Sequence, residues 1–388
     1  MKAVICQNKK LSLEDIKEPC PEQGHALLDV HLCGICGSDL HARQHCNHLS
    51  QIVHELGFEG FMKENEAVVL GHEFCGEILD YGPGSNRPFK VGTRVCALPI
   101  IKRKEGFDLH GFSQRTNGAY AERILVDELF MVEITNGLSS DEAALTEPMA
   151  IGLHAVNRAQ ISNKDVAIVV GCGPVGLSVI ANLKAQGVKT VLASDFSSGR
   201  RKLAQQCGAD IVIDPAVQSP YDSWKAFGLT MHLEQALNMA REGREQLGKL
   251  PIPWWQGWRI AEYFGKATPK RPVIFECVGV PGMINQIIKG APLFSRVVVV
   301  GVCMEEDRFE PTIAINKEID LRFVVGYTPL EYRDTLARLC NGKINARPLI
   351  TGTISLEGVE NAFDALATPD SHAKILINPK LTGSSINI

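Results

Sequence analysis

The first third of the chain alternates short apolar stretches with turns that are rich in glycine. The pattern is clearest in four stretches, HALLDVHLCG, AVVLGHEFCGEILDYG, FKVGTRVCALPI and GAYAERILV. Short strands separated by frequent turn signals are typical of β-rich domains. We therefore expect the N-terminal third to form a β-rich domain.

The pattern changes after about residue 150. The stretch DVAIVVGCGPVGLSVIANLKAQGVKTVLASD predicts an apolar strand, a glycine turn, a helix and a second strand. Val175, Val179, Ile180 and Leu183 recur at helical spacing, and Gly187 predicts the end of the helix. Further apolar runs typical of parallel strands lie at residues 211–213, 273–275 and 296–300. This alternation predicts a doubly wound α/β domain.

Two segments interrupt these patterns. Residues 215–272 are too long for an ordinary connection in such a sheet and contain PIPWWQGWRIAEYFG. Because tryptophans are rare on solvated loops, we expect a packed insertion with helices. Residues 42–69 are rich in histidine at first, and we expect an extended loop there.

Composition narrows the class of protein. With 388 residues, the chain exceeds the size at which one core stops growing, which favours two domains. A net charge of -4 argues against a nucleic-acid or membrane-surface partner. No apolar run approaches the roughly 18 residues of a membrane span, and the N-terminus does not resemble a signal peptide. The 12 scattered cysteines are typical of reduced thiols, so we expect a cytoplasmic protein.

A nucleotide-binding motif opens the α/β half. Gly171, Gly173 and Gly176 form GxGxxG directly after an apolar strand, and Pro174 and Val175 begin the helix. These glycines allow a tight turn, close approach to a pyrophosphate, and close packing of helix on strand. The helix N-terminus then offers free N–H groups to the phosphates.

The second strand supplies the expected carboxylate. It ends at Asp195, close to the roughly 20-residue offset at which an acid binds the adenosine ribose. Because an acid there repels a 2′-phosphate, the motif favours NAD over NADP. Arg200 and Arg201 follow closely and weaken that preference.

Three segments contain residues that bind metals. Cys36 lies in CGICGSDLH, His72 and Glu73 lie in GHEFCGEI, and Glu147 lies in ALTEPMAIGLHA. A catalytic zinc takes about three ligands of N, S or O type and keeps one position open. The spacing of Cys33 and Cys36 alone leaves open a redox pair, half of a structural zinc site, or a single ligand.

These three segments and the glycine turn, taken in order, resemble a known family. CGICGSDLH, GHEFCGEI, EPMAIGLHA and VVGCGPVGL are similar to segments of the zinc-dependent medium-chain alcohol dehydrogenases, and the similarity covers nearly the whole chain. The EP form resembles the polyol, butanediol and secondary-alcohol branch. The resemblance implies a β-rich GroES-like catalytic domain at 1–151 and 327–388. It also implies a Rossmann NAD-binding domain at 152–326 with an insertion at about 215–272.

The resemblance assigns roles to the metal candidates. Cys36 and His72 match the catalytic zinc ligands, and either Glu73 or Glu147 completes the set, directly or through water. Cys33 then becomes a small packed residue. Between Cys96 and Cys172 the chain has no cysteine, where many members of the family hold a structural zinc on four. We therefore expect one catalytic zinc ion per subunit and no structural zinc.

Further roles follow from the same resemblance. Ser38 matches the hydroxyl that handles the substrate proton, His41 the outer end of that relay, and Asp39 a residue beside the metal. Lys374 matches a basic residue near the cofactor phosphates. His45, Cys46 and His48 form HCxH, but we prefer an extended loop there to a second metal site.

These features predict an oxidoreductase that transfers hydride between a secondary alcohol or diol and NAD, giving a ketone or aldehyde reversibly. We expect a small-molecule substrate and a homodimer or homotetramer. One alternative is a zinc-free quinone or enone reductase of the same superfamily. Another is a non-catalytic nucleotide-binding protein. Zinc content separates these hypotheses.

Overall fold

The computed structural model describes residues 1–267, 269–368 and 372–388. The chain divides into two compact units. The first unit contains Met1–His154, Gly173–Asn182 and Gly326–Ile388. The second unit contains Ala155–Cys172 and Leu183–Val325.

The strands are numbered in chain order. They are β1 (Lys2–Gln7), β2 (Lys10–Asp15), β3 (His25–Gly34), β4 (Val68–Val69), β5 (Glu73–Tyr81), β6 (Arg94–Ala97), β7 (Ile100–Arg103), β8 (Gly106–Leu109), β9 (Arg123–Asp127), β10 (Met131–Glu133), β11 (Val166–Val170), β12 (Thr190–Ser194), β13 (Ile211–Ile213), β14 (Val273–Glu276), β15 (Arg296–Val299), β16 (Asp320–Phe323), β17 (Ile350–Ile354) and β18 (Lys374–Ile377).

The helices are numbered in the same way. They are α1 (Gly37–Glu55), α2 (Ser140–Ala143), α3 (Thr146–Ala159), α4 (Pro174–Ala185), α5 (Ser198–Gln206), α6 (Leu233–Leu247), α7 (Trp254–Tyr263), α8 (Met283–Gly290), α9 (Pro311–Asn316), α10 (Pro329–Cys340) and α11 (Val359–Ala367).

The first unit is β-rich, as the alternating pattern predicts. Its main sheet has the order β10-β6-β5-β3-β18-β17, and β9 also pairs with β3. The C-terminal strands enter this sheet because β18 pairs antiparallel with β3, with Leu376 opposite Gly34. A buried apolar core that includes Leu28, Phe74 and Ile375 holds the unit together.

The second unit confirms the doubly wound α/β prediction. Its six strands form one parallel sheet in the order β13-β12-β11-β14-β15-β16. The strands are apolar on both faces, as parallel sheets covered by helices require. No helix within the described residues is long and apolar enough to cross a membrane.

The expected loop at 42–69 is wrong for its first part, because α1 continues to Glu55. Ala42 and Cys46 are buried on this helix, and Leu49 and Val53 pack against the same core one and two turns later. Burial of this stripe at helical spacing stabilises the helix despite the polar residues between.

The long segment between β13 and β14 contains α6 and α7, which pack on each other. Trp258 is half-buried, but Trp254 and Trp255 are 41% and 46% exposed. The expectation that burial explains the tryptophans is therefore wrong for these two. Their rings contact arginines instead, with Arg244 over Trp254 and Arg259 over Trp255.

The segment that lacks cysteines folds as the hairpin β7–β8 and the loop that follows it. A buried carboxylate ties the two parts together. Asp108 on β8 accepts a hydrogen bond from the Nε of Arg115 at 2.9 Å and one from the hydroxyl of Ser113 at 3.0 Å. Packing and this polar cluster both stabilise the segment.

Candidate active site

Strand pairing explains why Cys36, His72 and Glu73 meet. β3 and β5 are antiparallel, with Gly34 at the end of β3 opposite Glu73 at the start of β5. Cys36 lies two residues beyond Gly34, and His72 immediately precedes Glu73. One ligand atom from each of these three side chains lies within 4.8 Å of the others. His72 and Glu73 are buried, and Cys36 is half-buried.

This donor set fits zinc. A thiolate, an imidazole and a carboxylate are the ligand types that zinc takes in proteins. Two of the three residues are buried, and burying metal-capable groups close together is costly unless a cation or hydrogen bonds compensate them. Within the described residues, this is the one group of three or more such side chains close enough to share an ion.

Asp39 orients the histidine of this group. Its Oδ2 accepts hydrogen bonds from the backbone N–H of Cys36 at 2.9 Å and from the hydroxyl of Tyr120 at 2.7 Å. Its Oδ1 lies 3.2 Å from Nδ1 of His72. A carboxylate on one ring nitrogen fixes the ring and leaves the other nitrogen for a metal.

The same contacts set the charges of the pair. Burial alone would raise the pKa of Asp39, but His72, Tyr120 and the backbone of Cys36 outweigh it and lower that pKa. Burial alone would lower the pKa of His72, but Asp39 and Cys36 outweigh it and raise that pKa well above its usual value. Without a metal, the arrangement therefore favours a charged imidazole beside an ionised carboxylate.

Lys374 lies beside this group, which corrects the expectation that it contacts cofactor phosphates. Its Nζ is 2.7 Å from both carboxylate oxygens of Glu73 and donates to the carbonyl of Ile35 at 2.9 Å. The lysine is 1% exposed, and its ammonium is occupied by the carboxylate of Glu73. The pairing of β18 with β3 places Lys374 here.

Glu147 lies in the first turn of α3 and is buried. Burial raises the pKa of Glu147 to about 7, although the charge of His72 and a hydrogen bond with Tyr327 oppose the shift. Glu147 is not a member of the three-donor group. Of the two glutamates considered as the third ligand, the geometry thus favours Glu73. Glu147 is close enough that the charge of Glu73 also raises its pKa.

Ser38 and His41 both lie on α1. The hydroxyl of Ser38 is 3.2 Å from Nε2 of His72, which places it at the nitrogen that faces the donor group. His41 lies three residues further along the helix and is half-buried. Burial and the neighbouring His45 lower the pKa of His41. A proton relay from Ser38 to His41 stays a prediction.

The glycine turn lies between β11 and α4. Gly171 has φ +92°, and a Cβ there would lie 2.7 Å from Cγ2 of Val278, so only glycine fits. A Cβ at Gly173 would meet no atom within 4 Å, which leaves the backbone there open to a ligand. Pro174 begins α4, followed by Val175 and Gly176 in its first turn.

Asp195 follows β12 and closes the same turn. Its carboxylate accepts hydrogen bonds from the backbone N–H of Cys172 at 2.7 Å and of Ser197 at 2.8 Å. Arg201 donates to the carbonyl of Asp195 at 2.8 Å and pairs with Asp214. Arg200 has a buried Nε without a hydrogen-bond partner within the described residues. The turn thus has the strand, helix and acid that a dinucleotide requires.

Comparisons with known proteins agree with this geometry. The family described as "Alcohol dehydrogenase GroES-like domain" matches residues 22–136. The chain is 30% identical over 404 residues to the (R,R)-butanediol dehydrogenase of Bacillus subtilis (strain 168), covering 98% of this chain and 100% of that protein. The chain belongs to the zinc-dependent medium-chain alcohol dehydrogenase family.

Further relatives of this medium-chain dehydrogenase place it in the polyol and butanediol branch. It is 27% identical over 406 residues to the sorbitol dehydrogenase of Bacillus subtilis (strain 168), covering 98% of this chain and 97% of that protein. The crystal structure of 2R,3R-butanediol dehydrogenase from Bacillus subtilis superposes with a TM-score of 0.73 and 28% identity, covering 98% of this chain and 99% of that chain. The recognised family and the two-domain fold are thereby confirmed.

Two tyrosines of the site were missed by sequence reasoning. Tyr120 donates its hydroxyl to Asp39, and Tyr327 hydrogen-bonds Glu147. Both reach the site from distant segments, and neither lies in a motif with a diagnostic spacing. The pairing of Glu73 with Lys374 was missed for the same reason, because it joins residues 301 positions apart.

Proposed function

We propose that this chain is a zinc-dependent oxidoreductase that transfers hydride between a secondary alcohol or diol and NAD, giving a ketone or aldehyde reversibly. The observation that carries the proposal is the convergence of Cys36, His72 and Glu73 within 4.8 Å. A zinc-free quinone or enone reductase has no need of such a group. The relatives named above, a butanediol and a sorbitol dehydrogenase, act on alcohols of the proposed class.

Cys36, His72 and Glu73 would hold the metal, with Glu147 available as an alternative or through water. When bound, zinc supplies a Lewis acid that lowers the pKa of an alcohol hydroxyl. Asp39 holds the ring of His72 in place, and Lys374 balances the charge of Glu73. Ser38 lies at the same place and accepts the proton that the alcohol loses, and His41 passes it outward.

The glycine turn and Asp195 would hold the cofactor. When bound, NAD supplies the hydride acceptor. Gly173 admits the pyrophosphate to the backbone, and the free N–H groups at the start of α4 stabilise its charge. The carboxylate of Asp195 binds the ribose hydroxyls and disfavours a 2′-phosphate, which supports NAD over NADP. Arg200 follows at the start of α5 and contacts the same end of the cofactor.

The domain assignment is proposed with the function. Residues 1–151 and 327–388 would form the catalytic domain, and residues 152–326 would form the NAD-binding domain, with the insertion at about 215–272. One zinc per subunit, a homodimeric or homotetrameric assembly and a cytoplasmic location complete the proposal. The cysteines support that location, because all 12 lie within the described residues and are free thiols.

Metal analysis and an alcohol screen test the function. We expect about one zinc per chain, and NADH production from secondary alcohols and vicinal diols. Cys36→Ser should abolish oxidation while NAD still binds, because the thiol is absent from the cofactor turn. Cys20→Ser, which changes an exposed thiol, is the matched control. Less than half an equivalent of zinc in folded protein, or full activity of Cys36→Ser, would contradict the proposal.

A further inference from the structure

A small cavity of about 70 Å³ lies beside the β7–β8 hairpin in the first unit. It is lined by Pro19, Arg103, Arg115, Thr116, Asn117 and Leu125. A single water needs roughly 10–15 Å³ of such space, so the cavity has room for a larger polar guest. None of its lining residues takes part in the candidate metal or cofactor sites.

The cavity has an excess of positive charge. Arg103 and Arg115 both line it, and Asp108 is the acid that pairs with them. Both Nε and Nη2 of Arg115 donate to Oδ1 of Asp108, whereas Nε of Arg103 is 3.6 Å from Oδ2, beyond hydrogen-bond distance. Two guanidinium groups against one carboxylate leave one positive charge uncompensated in this cluster.

Two residues that line the cavity have polar groups without a hydrogen-bond partner in the part of the chain that the structure describes. Within the described residues, the hydroxyl of Thr116 and Nε of Arg103 are buried and make no hydrogen bond. Thr116 is 3% exposed, and the Arg103 side chain is 20% exposed. Leaving such groups unsatisfied is costly, so native proteins pair nearly all of them. Both groups belong to residues that line the cavity, and each is a hydrogen-bond donor.

From these observations we infer that the cavity binds a small oxyanion of the phosphate or sulfate class. The planar guanidinium group of Arg103 offers N–H donors that match the oxygens of such an anion, and Arg115 adds its positive charge. The hydroxyl of Thr116 adds a further donor, and the charge of the anion cancels the excess of the two arginines. A cation is disfavoured by the arginines, and an apolar molecule would leave the donors unsatisfied.

Binding here would stabilise the segment that reaches the metal site. Arg103 belongs to β7, and Thr116 belongs to the loop after β8, so an anion joins both ends of the segment. Between them, the ring of Phe112 lies 4.9 Å from that of His72. The oxyanion would therefore hold in place the aromatic ring that packs on a proposed metal ligand.

Calorimetric titration of the zinc-loaded protein with inorganic phosphate tests the inference, with saturating NAD present to fill the cofactor turn. We expect one saturable phosphate site per chain. Thr116→Val keeps the shape of the side chain and should weaken binding about ten-fold, since it removes one hydrogen bond to a charged group. Arg103→Gln should weaken it further. Thr116→Ser should bind phosphate about as tightly as the wild type, because it retains the hydroxyl.

Lys104→Gln is the matched control, because it removes an exposed positive charge from the same hairpin outside the cavity. It should leave the phosphate affinity unchanged. Chloride has no pair of oxygens to accept two hydrogen bonds from one guanidinium group. It should therefore bind at least ten-fold more weakly than phosphate. The inference is overturned if no saturable site is found, if Thr116→Val binds phosphate like the wild type, or if chloride binds equally well.

Discussion

At the scale of single residues, Asp39 joins three parts of the candidate site through one fully buried carboxylate. It holds the backbone of Cys36, the hydroxyl of Tyr120 and the ring of His72. Two of these partners belong to proposed metal ligands, so the position of both depends on a residue that does not itself join the donor group. Asp39 is thus a positioning residue.

Asp39→Asn should weaken zinc binding by about 10- to 100-fold, as for other partners of metal-bound histidines. The amide keeps the size of the side chain but loses the charge that fixes the ring of His72. Competition with a fluorescent chelator measures the affinity. Asp15→Asn, on an exposed part of β2, should bind zinc like the wild type. Equal affinities for the two variants would show that Asp39 does not position the histidine.

At the scale of elements, sequence patterns located the strands better than they located α1. The apolar strand before Gly171 and the acid at Asp195 were predicted because their order and spacing are specific to one arrangement. The helix was missed because its buried stripe starts with small residues, Ala42 and Cys46, which a hydrophobic pattern weights lightly. Helical spacing from Ala42 to Val53 was the available signal.

Long-range pairs set the limit of prediction for the site. Nothing near Lys374 in the sequence indicates that its ammonium meets Glu73, because the contact depends on how β18 pairs with β3. The choice between Glu73 and Glu147 was open for the same reason. Strand register favours Glu73, and register between distant segments is fixed by the packing of the whole unit.

The segment that contains β7 and β8 should lose stability in acid. Burial lowers the pKa of His110 to about 4, and the charge of Arg103 adds to the effect, although a hydrogen bond to Asn117 opposes it. In the unfolded chain the pKa is about 6.5. Between these values the unfolded chain binds a proton that the folded chain excludes, so stability falls as the pH drops.

From pH 7.5 to pH 5, we expect His110 to account for a loss of ~2 kcal/mol in the free energy of unfolding. Urea denaturation of the zinc-loaded wild type and of His110→Gln at both pH values measures this loss. The variant lacks the titrating ring and should lose correspondingly less. An equal loss in both proteins would mean that His110 does not remain neutral in the fold.

At the scale of the whole molecule, the metal donors belong to the first unit and Asp195 belongs to the second. The metal donors and Asp195 are far apart in the sequence, and we expect substitutions to separate the two chemical tasks. The sequence predicts two domains because the β-rich and the α/β patterns occupy different stretches, and the bounds of those domains stay a prediction. A substitution in one site should therefore leave the ligand affinity of the other intact.

Asp195→Asn should test this separation. The amide oxygen can still accept from the backbone of Cys172 or Ser197, but the negative charge is lost. We expect NAD to bind about ten-fold more weakly and NADP to lose little, because a neutral side chain no longer repels the 2′-phosphate. Zinc content should stay unchanged. Fluorescence titration with both cofactors measures the ratio, and equal losses would contradict the proposed preference for NAD.

The pairing of Lys374 with Glu73 bears on the order in which the protein matures. The lysine supplies a positive charge inside the donor group, so the carboxylate is compensated as soon as the strands pair. Many small zinc-binding domains, by contrast, stay unfolded until the metal arrives. This chain should therefore fold first and acquire its metal afterwards, and metal shortage in the cell would yield folded, inactive protein that zinc can revive.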